Sequence, residues 1–421
     1  MIKEWILKEE NTVWSKPLLY SIFSLILVIF IQIIDRGIIP LESYLPSIFL
    51  VEKPLVETVL STLSGALLTM TTITFSTIMV VLTTYSTQFS PRTLKNYLTK
   101  PTATRVLGVF MGGFVYSTVS LLMLDVSEEN SGVVLSATVG VLVALVCLGY
   151  FAYFIHNVAT FIRVSNLIEE LTSDALASSV KEKQEIEDIN GELIHGSFTL
   201  FSKEGMPTAT IYAKKDGYVQ LINYKGLVEF AEKNDCLCMF TIPIGTYVTT
   251  STAIATIVGT KTVEMNSEEY ITIGAERTTL QDREYGIQKL VEVALKAISP
   301  GINDPNTAID CIKHLKEPLK EAILISGVYL LLPNENGEQK VLIPRRTAED
   351  ILYAAFYQLA HYGRQDVSVL RAILETLHFV EHHSNIEGKE AAQKMKDYCS
   401  GKFDKGSLHP LDNQKLSDLL E

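Results

Sequence analysis

The stretch that decides the fold is residues 58–90, TVLSTLSGALLTMTTITFSTIMVVLTTYSTQFS, which has no Asp, Glu, Lys or Arg over 33 positions. A helix rises about 1.5 Å per residue, so this stretch is longer than the roughly 30 Å of hydrocarbon in a bilayer. Three more stretches without these charges lie nearby, at residues 17–34, 106–124 and 131–162. Together they predict four transmembrane helices rather than buried helices of a soluble domain.

Charge is distributed unevenly along the chain. Residues 161–421 hold 27 of the 36 Lys and Arg and 38 of the 48 Asp and Glu, so this part is acidic and polar. It is long enough for one or two domains with a core of their own. The predicted fold class is therefore an α-helical membrane domain with four transmembrane helices, followed by an α+β cytoplasmic domain.

Positive charge in the short loops sets the predicted orientation. The loop between the second and third spans is basic, with Arg92, Lys95, Lys100 and Arg105. The loop after the third span, residues 125–130, has no Lys or Arg. Short loops rich in Lys and Arg stay on the cytoplasmic side, so the first of these loops faces the cytoplasm and the second faces outside. Both termini and the acidic domain are then expected in the cytoplasm.

The second span is rich in hydroxyl side chains at helical spacing. Residues three or four apart lie on one face of a helix. The spacing places on one face Thr62, Gly65, Thr69, Thr72, Ser76, Thr83 and Thr87. One interpretation is a packing face, because small residues let membrane helices approach closely. The other is a pore-lining helix around a symmetry axis, whose hydroxyl groups solvate water or ions.

Charged and polar residues flank this face without interrupting it. Gln88 and Arg92 lie at its predicted cytoplasmic mouth, and Asp35 and Arg36 lie on the external side. Because no charged residue lies within the face, a proton relay or a carboxylate-coordinated pump is disfavoured. The flanking charges would set ion preference in a channel and would otherwise be topological anchors.

Pattern divides the chain further. We expect a four-helix transmembrane domain at residues 1–162 and a linking amphipathic helix at residues 163–194. A β-rich module at residues 195–275, a helical cytoplasmic domain at residues 276–387 and a polar C-terminal tail at residues 388–421 follow. In the β-rich module, PIGTYV at residues 243–248 and AIATI at residues 253–257 resemble half of a barrel-sandwich fold of the biotinyl or lipoyl type. The lysine-bearing hairpin tip of such carriers is absent, so we expect a structural barrel without a cofactor.

A break between two predicted helices carries the ligand-binding candidates. Residues 299–305, SPGINDP, end one helix at a Pro-Gly pair and begin the next, with Asp304 placed to cap it. A capped helix N-terminus can hold an anion, which makes Ser299, Asn303 and Asp304 candidates for binding a small ligand. The alternative is a purely structural corner.

Other chemistry lacks a sequence signal. The acidity of the second part argues against nucleic acid as a partner. His378, Glu381 and His382 invite a metal interpretation, but the His-Glu-x-x-His order is absent and a solvated helix end is favoured, so no metal site is predicted. No phosphate-binding glycine loop, nucleophile elbow or kinase signature occurs, and the sequence predicts neither catalytic residues nor enzyme activity.

Three stretches together are similar to a known family. They are FST at residues 75–77 with STQFSPR at 86–92, the helix at 282–291, and AISPGINDPNTA at 297–308. The chain resembles, over nearly its whole length, the bacterial predicted-membrane-protein family catalogued as domain of unknown function 2254. The resemblance implies a four-helix membrane part and a cytoplasmic part in a bacterial inner membrane. It implies no activity.

A charge-free hydroxyl face beside a large polar domain favours a homo-oligomeric channel-like protein. In that hypothesis the second span lines the axis, and the cytoplasmic domain gates or assembles the pore. The expected partners are the lipid bilayer, further copies of the same chain, and an ion or small ligand of unknown identity. The alternative is a non-conducting membrane-anchored sensor or scaffold that binds a ligand or partner through its cytoplasmic domain.

Overall fold

The chain folds into two compact units, Met1–Arg163 and Val164–Glu421, which we call the membrane unit and the α+β unit. The computed structural model describes residues 15–36, 38–39, 46–93, 101–124, 133–161, 163–195, 207–260, 263–402 and 408–420. The boundary between the units falls where the apolar part of the sequence ends. Each unit is described separately.

The described part of the membrane unit has four helices that are long and apolar enough to span a membrane. They are α1 (Ser15–Asp35), α2 (Lys53–Gln88), α3 (Pro101–Leu122) and α4 (Ser136–Phe161). Two short antiparallel strands precede α2 and α4, namely β1 (Val51–Glu52) and β2 (Val133–Val134). The four apolar helices predicted from the sequence are thus present in the predicted order, and α2 is the longest at 36 residues.

Close contact between α1 and α3 explains the glycines of the third span. The Gly-x-x-x-Gly spacing of Gly108 and Gly112 predicts a tight helix contact within or between subunits. A Cβ on Gly112 would lie 2.8 Å from Oγ of Ser24 and 3.2 Å from the carbonyl oxygen of Tyr20. A Cβ on Gly108 would lie 2.7 Å from the ring of Tyr20. The contact therefore lies within one subunit, between α3 and α1.

We expect Gly112→Ala to destabilise the membrane unit. The added methyl group overlaps atoms of α1, and overpacking costs about 1–3 kcal/mol, more than the gain of about 1 kcal/mol in helix propensity. Gly149→Ala in α4 is the matched control, because a Cβ there meets no atom within 4 Å. Thermal unfolding in detergent, followed by circular dichroism, compares the two variants, and equal midpoints would contradict the α1–α3 contact.

An acidic side chain at the end of α1 caps α4. The Asp35 carboxylate accepts hydrogen bonds from the N–H groups of Leu135 at 2.7 Å and Ser136 at 3.2 Å. Tyr116 of α3 donates its hydroxyl proton to the Ser136 carbonyl at 2.9 Å. Unsatisfied amides at a helix N-terminus need such acceptors. Asp35, which the sequence places on the external side of the spans, is thus bound to the start of α4, and a role at a pore mouth remains a prediction.

The α+β unit combines helices with short strands. Its helices are α5 (Val164–Asp188), α6 (Tyr224–Lys233), α7 (Arg283–Ala297), α8 (Pro305–His314), α9 (Lys316–Leu324), α10 (Ala348–Tyr362), α11 (Val367–His383), α12 (Ile386–Lys402) and α13 (Pro410–Leu420). Its strands are β3 (Glu192–Ile194), β4 (Thr208–Tyr212), β5 (Gly217–Ile222), β6 (Cys236–Phe240), β7 (Tyr247–Val248), β8 (Ala253–Gly259), β9 (Ile271–Gly274), β10 (Tyr329–Pro333) and β11 (Gln339–Pro344). Helices α12 and α13 occupy most of the segment that the sequence suggests as a polar tail.

The described strands of the α+β unit form two open sheets. The larger has the order β3-β10-β11-β6-β8-β4, in which β11 and β6 are parallel and the other neighbours are antiparallel. The smaller has the order β7-β5-β9. The predicted barrel-sandwich is not confirmed, because no barrel closes among these strands. Strand β6 pairs with β11 of a later hairpin, which the sequence pattern does not predict, and the sheet continues outward instead of closing.

Helices α5 and α7 pack closely and bring their ends together. A Cβ on Gly286 of α7 would lie 2.7 Å from Cβ and 2.8 Å from Cα of Ala175 on α5. The buried stripe of α5 consists of Leu167, Ile168, Leu171, Ala175, Ser178, Ser179, Glu182 and Ile186. The acid Glu182 lies within that stripe, so the same packing buries a carboxylate near the start of α7.

Candidate functional site

Helix α2 has a packed face and an outward face. Its buried residues are Val56, Leu60, Leu67, Thr74, Val81 and Tyr85. At about 100° per residue these positions share one side of the helix. On the opposite side, every residue of the predicted hydroxyl face is exposed in the single chain: Thr62, Gly65, Thr69, Thr72, Ser76, Thr83 and Thr87. Within the described part of the membrane unit, the hydroxyl face therefore does not serve as a packing face.

The threonines of this face are hydrogen-bonded within α2. The hydroxyls donate to the carbonyl oxygen four residues earlier, at 2.8–3.0 Å, for Thr62, Thr69, Thr72, Thr83 and Thr87. Such bonds use the single hydroxyl proton and leave lone pairs on the oxygen. The face can thus accept hydrogen bonds or coordinate a cation more readily than it can donate protons to an anion.

The residues predicted at the cytoplasmic mouth lie where α2 ends. Gln88 is the last residue of α2 and is exposed. Phe89 and Ser90 turn inward and are buried, and Arg92 is exposed in the short 3-10 helix Pro91–Thr93 that follows. Both side chains are therefore at the same end of α2 as Thr87. A role in ion preference remains a prediction.

The corner between α7 and α8 is held by its own hydrogen bonds. Ser299 donates its hydroxyl to the Lys296 carbonyl at 2.6 Å, and the Asn303 N–H, at a backbone φ of 52°, donates to the Ser299 carbonyl at 2.9 Å. The Asp304 carboxylate accepts from the N–H of Thr307 at 3.1 Å and from its hydroxyl at 2.6 Å. These bonds account for the three candidate residues structurally, and ligand binding at the corner remains a prediction.

Three side chains of the kinds that bind metal ions lie close together on α11. His378, Glu381 and His382 each offer one ligand atom within 4.8 Å of the others. Nζ of the fully buried Lys396 lies 2.6 Å from Oε2 of Glu381 and 3.5 Å from Nδ1 of His378. Burial lowers the pKa of His378, and the nearby His382 and Lys396 lower it further. A metal ion would compete with a buried ammonium group for one carboxylate, so an ion pair explains the group better.

A cleft lined by charged side chains lies at the N-terminal end of α7 in the α+β unit. Its unfilled volume is about 330 Å³ including its open mouth. Its walls come from α5, the start of α6, the loop after β6, the start of α7 and the end of β11. Six lining residues are charged, three acids and three arginines: Glu182, Asp282, Glu284, Arg283, Arg345 and Arg346. We call it the arginine cleft.

Glu182 is held between two arginines in this cleft. Its Oε2 lies 2.8 Å from Nη1 of Arg283, and its Oε1 lies 2.7 Å from Nη1 of Arg345. The Tyr224 hydroxyl lies 3.5 Å from the same Oε1. Burial opposes ionisation of Glu182, but the charges of Arg345 and Arg283 outweigh it and hold its pKa below the usual range. The three charged groups form a buried triad with one net positive charge.

Two further ion pairs border the triad. Nε and Nη2 of Arg277 contact the two carboxylate oxygens of Asp282 at 2.7 and 2.9 Å. Nε of Arg346 lies 2.8 Å from Oε2 of Glu284. Burial raises the pKa of Glu284, and the neighbouring guanidinium charges offset only part of the rise. The two glutamates of the cleft therefore differ, since one is held ionised and the other protonates more readily.

The residues of the cleft are not brought together by any sequence motif. Glu182, Arg283 and Arg345 come from three distant segments, and only the packing of α5, α7 and β11 unites them. One signal is present in the sequence, since Glu182 continues the apolar stripe of α5 at helical spacing. A lone acid on a buried stripe needs a buried positive partner, although the sequence does not say which.

Comparison with known proteins gives a family and distant relatives. A family model described as "Predicted membrane protein (DUF2254)" matches residues 10–378. The chain is similar to uncharacterized protein MT1328 of Mycobacterium tuberculosis, with 26% identity over 336 residues that cover 76% of this chain and 62% of the relative. Uncharacterized proteins Mb1321c of Mycobacterium bovis and Rv1290c of Mycobacterium tuberculosis match with the same identity and coverage. The match thus spans less than two thirds of these relatives' length, and no solved structure matches.

Proposed function

We propose that this chain, which belongs to the DUF2254 family of predicted membrane proteins, assembles in several copies in a bacterial inner membrane into a channel-like pore. In this assembly α2 of each copy faces the symmetry axis. Both termini and the α+β unit lie in the cytoplasm, where that unit gates or assembles the pore. The observation that carries the proposal is the exposed hydroxyl face of α2, opposite the face that packs within the membrane unit.

The composition of this face indicates whether it meets lipid or a water-filled axis. A lipid-facing surface gains from large apolar side chains, which are present on the outer side of α4 at Leu142, Leu145 and Leu148. The hydroxyl face of α2 presents oxygen lone pairs, although large apolar residues beside it, Leu68, Ile73, Met79 and Val80, are also exposed. Around an axis those oxygens would replace part of the hydration shell of a cation. The proposed permeant species are therefore water and small cations.

Disulfide cross-linking tests the assembly. Thr72→Cys places a thiol on the hydroxyl face, and Leu142→Cys is the control on α4, where the leucine is 56% exposed. All five native cysteines are buried, so the background is low. Mild oxidation in membranes should give covalent dimers of Thr72→Cys and few of Leu142→Cys. Equal cross-linking of both variants, or none at position 72, would contradict α2 facing an axis.

Conductance is measured on the same protein. Full-length protein reconstituted in planar bilayers is expected to carry cation current, with protein-free bilayers as the reference. Thr72→Cys should become blocked when a thiol reagent is added, while Leu142→Cys should not. Absence of current under voltage, membrane tension and added candidate ligands would argue against a channel.

The second candidate function is a non-conducting membrane-anchored sensor or scaffold. The observation that favours it is the arginine cleft, a charged concave site in the α+β unit that the channel hypothesis does not require. A monomeric protein that carries no current, yet binds a ligand in this cleft, would support the sensor. Neither function requires a catalytic step.

A further inference from the structure

We propose that the arginine cleft binds a phosphate monoester group, with Arg283 and Arg345 as the residues that hold it. The proposal concerns the α+β unit alone and does not depend on whether the membrane unit conducts. A free phosphate, a soluble phosphorylated metabolite and a lipid headgroup share this chemistry, and the experiment below distinguishes them.

Unused hydrogen-bond donors are the first reason. Arg283 and Arg345 each direct Nη1 to Glu182, and Nη2 of Arg345 donates to the Ile325 carbonyl at 3.0 Å. The Nε–H groups of both arginines are buried and have no acceptor within the described part of the chain. The two side chains are 6% and 4% exposed. Buried donors without acceptors are uncommon, and a ligand oxygen that reached these two groups would find the donors already in place.

The charge of the triad is the second reason. Arg277 is paired with Asp282, and Arg346 with Glu284, so each of these pairs is neutral. Counted by itself, the triad of Glu182 with Arg283 and Arg345 has one net positive charge in a site shielded from water, while the six charged lining residues together are neutral. An anion that enters the cleft removes that charge and avoids the full cost of its own desolvation.

The position of α7 adds a third donor set. This helix has 15 residues, and its first turn begins at Arg283, inside the cleft. The Asp282 side chain accepts the N–H of Tyr285, which leaves the earlier amides of the first turn without an acceptor inside the helix. The positive end of the helix dipole points toward the same place. The helix terminus and the arginines therefore favour an anion, while the carboxylates of Asp282 and Glu284 at the same helix end oppose it.

The number of donors favours a phosphoryl group over a carboxylate. A phosphate monoester offers three terminal oxygens, enough to reach both guanidinium groups and a first-turn amide, whereas a carboxylate offers two. Glu182 already fills the carboxylate position between the two arginines.

Thermal unfolding of the full-length protein in detergent tests the proposal. The probes are inorganic phosphate, glycerol 3-phosphate, acetate, and sodium chloride at equal ionic strength. At a hundredfold excess over Kd, binding is expected to raise the unfolding midpoint of the α+β unit by roughly 5–10 °C for a phosphoryl probe. Acetate and sodium chloride should leave it unchanged. An equal rise with acetate or sodium chloride would overturn the proposal. No rise with either phosphoryl probe would also overturn it, unless the lipid arm below is positive.

The lipid arm uses nanodiscs with and without phosphatidic acid. A rise that requires phosphatidic acid, with none for the soluble probes, would support the phosphate monoester chemistry and assign it to a lipid headgroup. A rise with glycerol 3-phosphate in nanodiscs of phosphatidylcholine alone would assign it to a soluble ligand. No rise in any arm would overturn the proposal.

A pair of variants tests the residues. Arg283→Lys keeps a positive charge beside Glu182 but lacks the Nε–H of arginine. It should weaken binding at least tenfold, which corresponds to about 1.4 kcal/mol of binding free energy. Arg364→Lys, an exposed arginine after α10, should bind as the wild type does. Unchanged affinity in Arg283→Lys would overturn the assignment. Should that variant not fold, hydrogen exchange of the wild type decides: added ligand must slow exchange in the first turn of α7, and unchanged exchange there overturns the proposal.

Discussion

Glu182→Gln unfolds the α+β unit well below the temperature at which the wild type unfolds, with an expected loss of about 3–5 kcal/mol. The glutamine is nearly the same size, so the loss comes from charge. Without the carboxylate, the guanidinium groups of Arg283 and Arg345 remain buried close to each other with no ion to separate them. Chemical denaturation of the detergent-solubilised protein measures the loss.

The matched control is Glu187→Gln on the same helix, because Glu187 is exposed and near the end of α5. It should change the free energy of unfolding by less than about 0.5 kcal/mol. Similar losses for both variants would mean that the triad contributes little to the fold.

The dependence on pH gives a second readout of the same carboxylate. The folded protein holds the pKa of Glu182 below its usual range, whereas an unfolded glutamate titrates near about 4.3. Its ionisation therefore contributes stability that is present above that pH and is lost as the pH falls toward the folded pKa. In Glu182→Gln this loss at acidic pH should be smaller than in the wild type, and identical acid sensitivity would contradict the lowered pKa.

The second large effect is expected at the hydroxyl face of α2. The double change Thr69→Leu and Thr72→Leu should abolish cation current while leaving membrane insertion and thermal stability intact. Leucine is favourable for a helix in lipid, by roughly 0.3–0.6 kcal/mol per residue at the centre of the span. On an axis, in contrast, the leucines remove the solvating oxygens and form a hydrophobic constriction that excludes water.

The control is the double change Thr77→Leu and Thr84→Leu. These threonines are half-buried, lie off the hydroxyl face, and donate to carbonyls four residues earlier at 2.9 and 3.0 Å, as the face residues do. Chemistry and number of changes are thus matched, and only the position differs. Equal currents in the two double variants, or equal loss in both, would contradict a specific role for the face.

The membrane helices could be predicted because each one depends on a local property of the chain. An apolar run longer than the bilayer has few alternatives, and the spans appear in the predicted order. Their ends shift by a few residues, as in α2, which begins at Lys53 rather than at the first position of the uncharged run. Pro54 suits the first turn of a helix, and the charged residues beside it tolerate the interface.

The direction of the hydroxyl face could not be predicted. The same spacing of threonines serves a face packed on a neighbouring helix and a face turned away from it. Which one applies depends on where α1, α3 and α4 lie, and that is decided by contacts such as Gly112 against Ser24.

The sheets and the cleft required long-range information. The short alternating runs at residues 243–257 fit a closed barrel and an open sheet equally well. Pairing of Cys238 with Val341 of the later hairpin made the difference. The arginine cleft depends on the same hairpin, because Arg345 follows β11 directly. A pattern read segment by segment finds the strands but not their partners.

The length of α2 limits where its polar row can end. A helix of 36 residues measures about 54 Å along its axis. Even at a steep tilt of about 40° it rises about 41 Å, while the hydrocarbon layer is roughly 30 Å thick. Part of the helix must therefore stand in the headgroup region or in bulk water at one end or both. In the proposed pore, the row of oxygens would then continue past the lipid and form a vestibule, where an ion exchanges its hydration shell before it enters the narrow part.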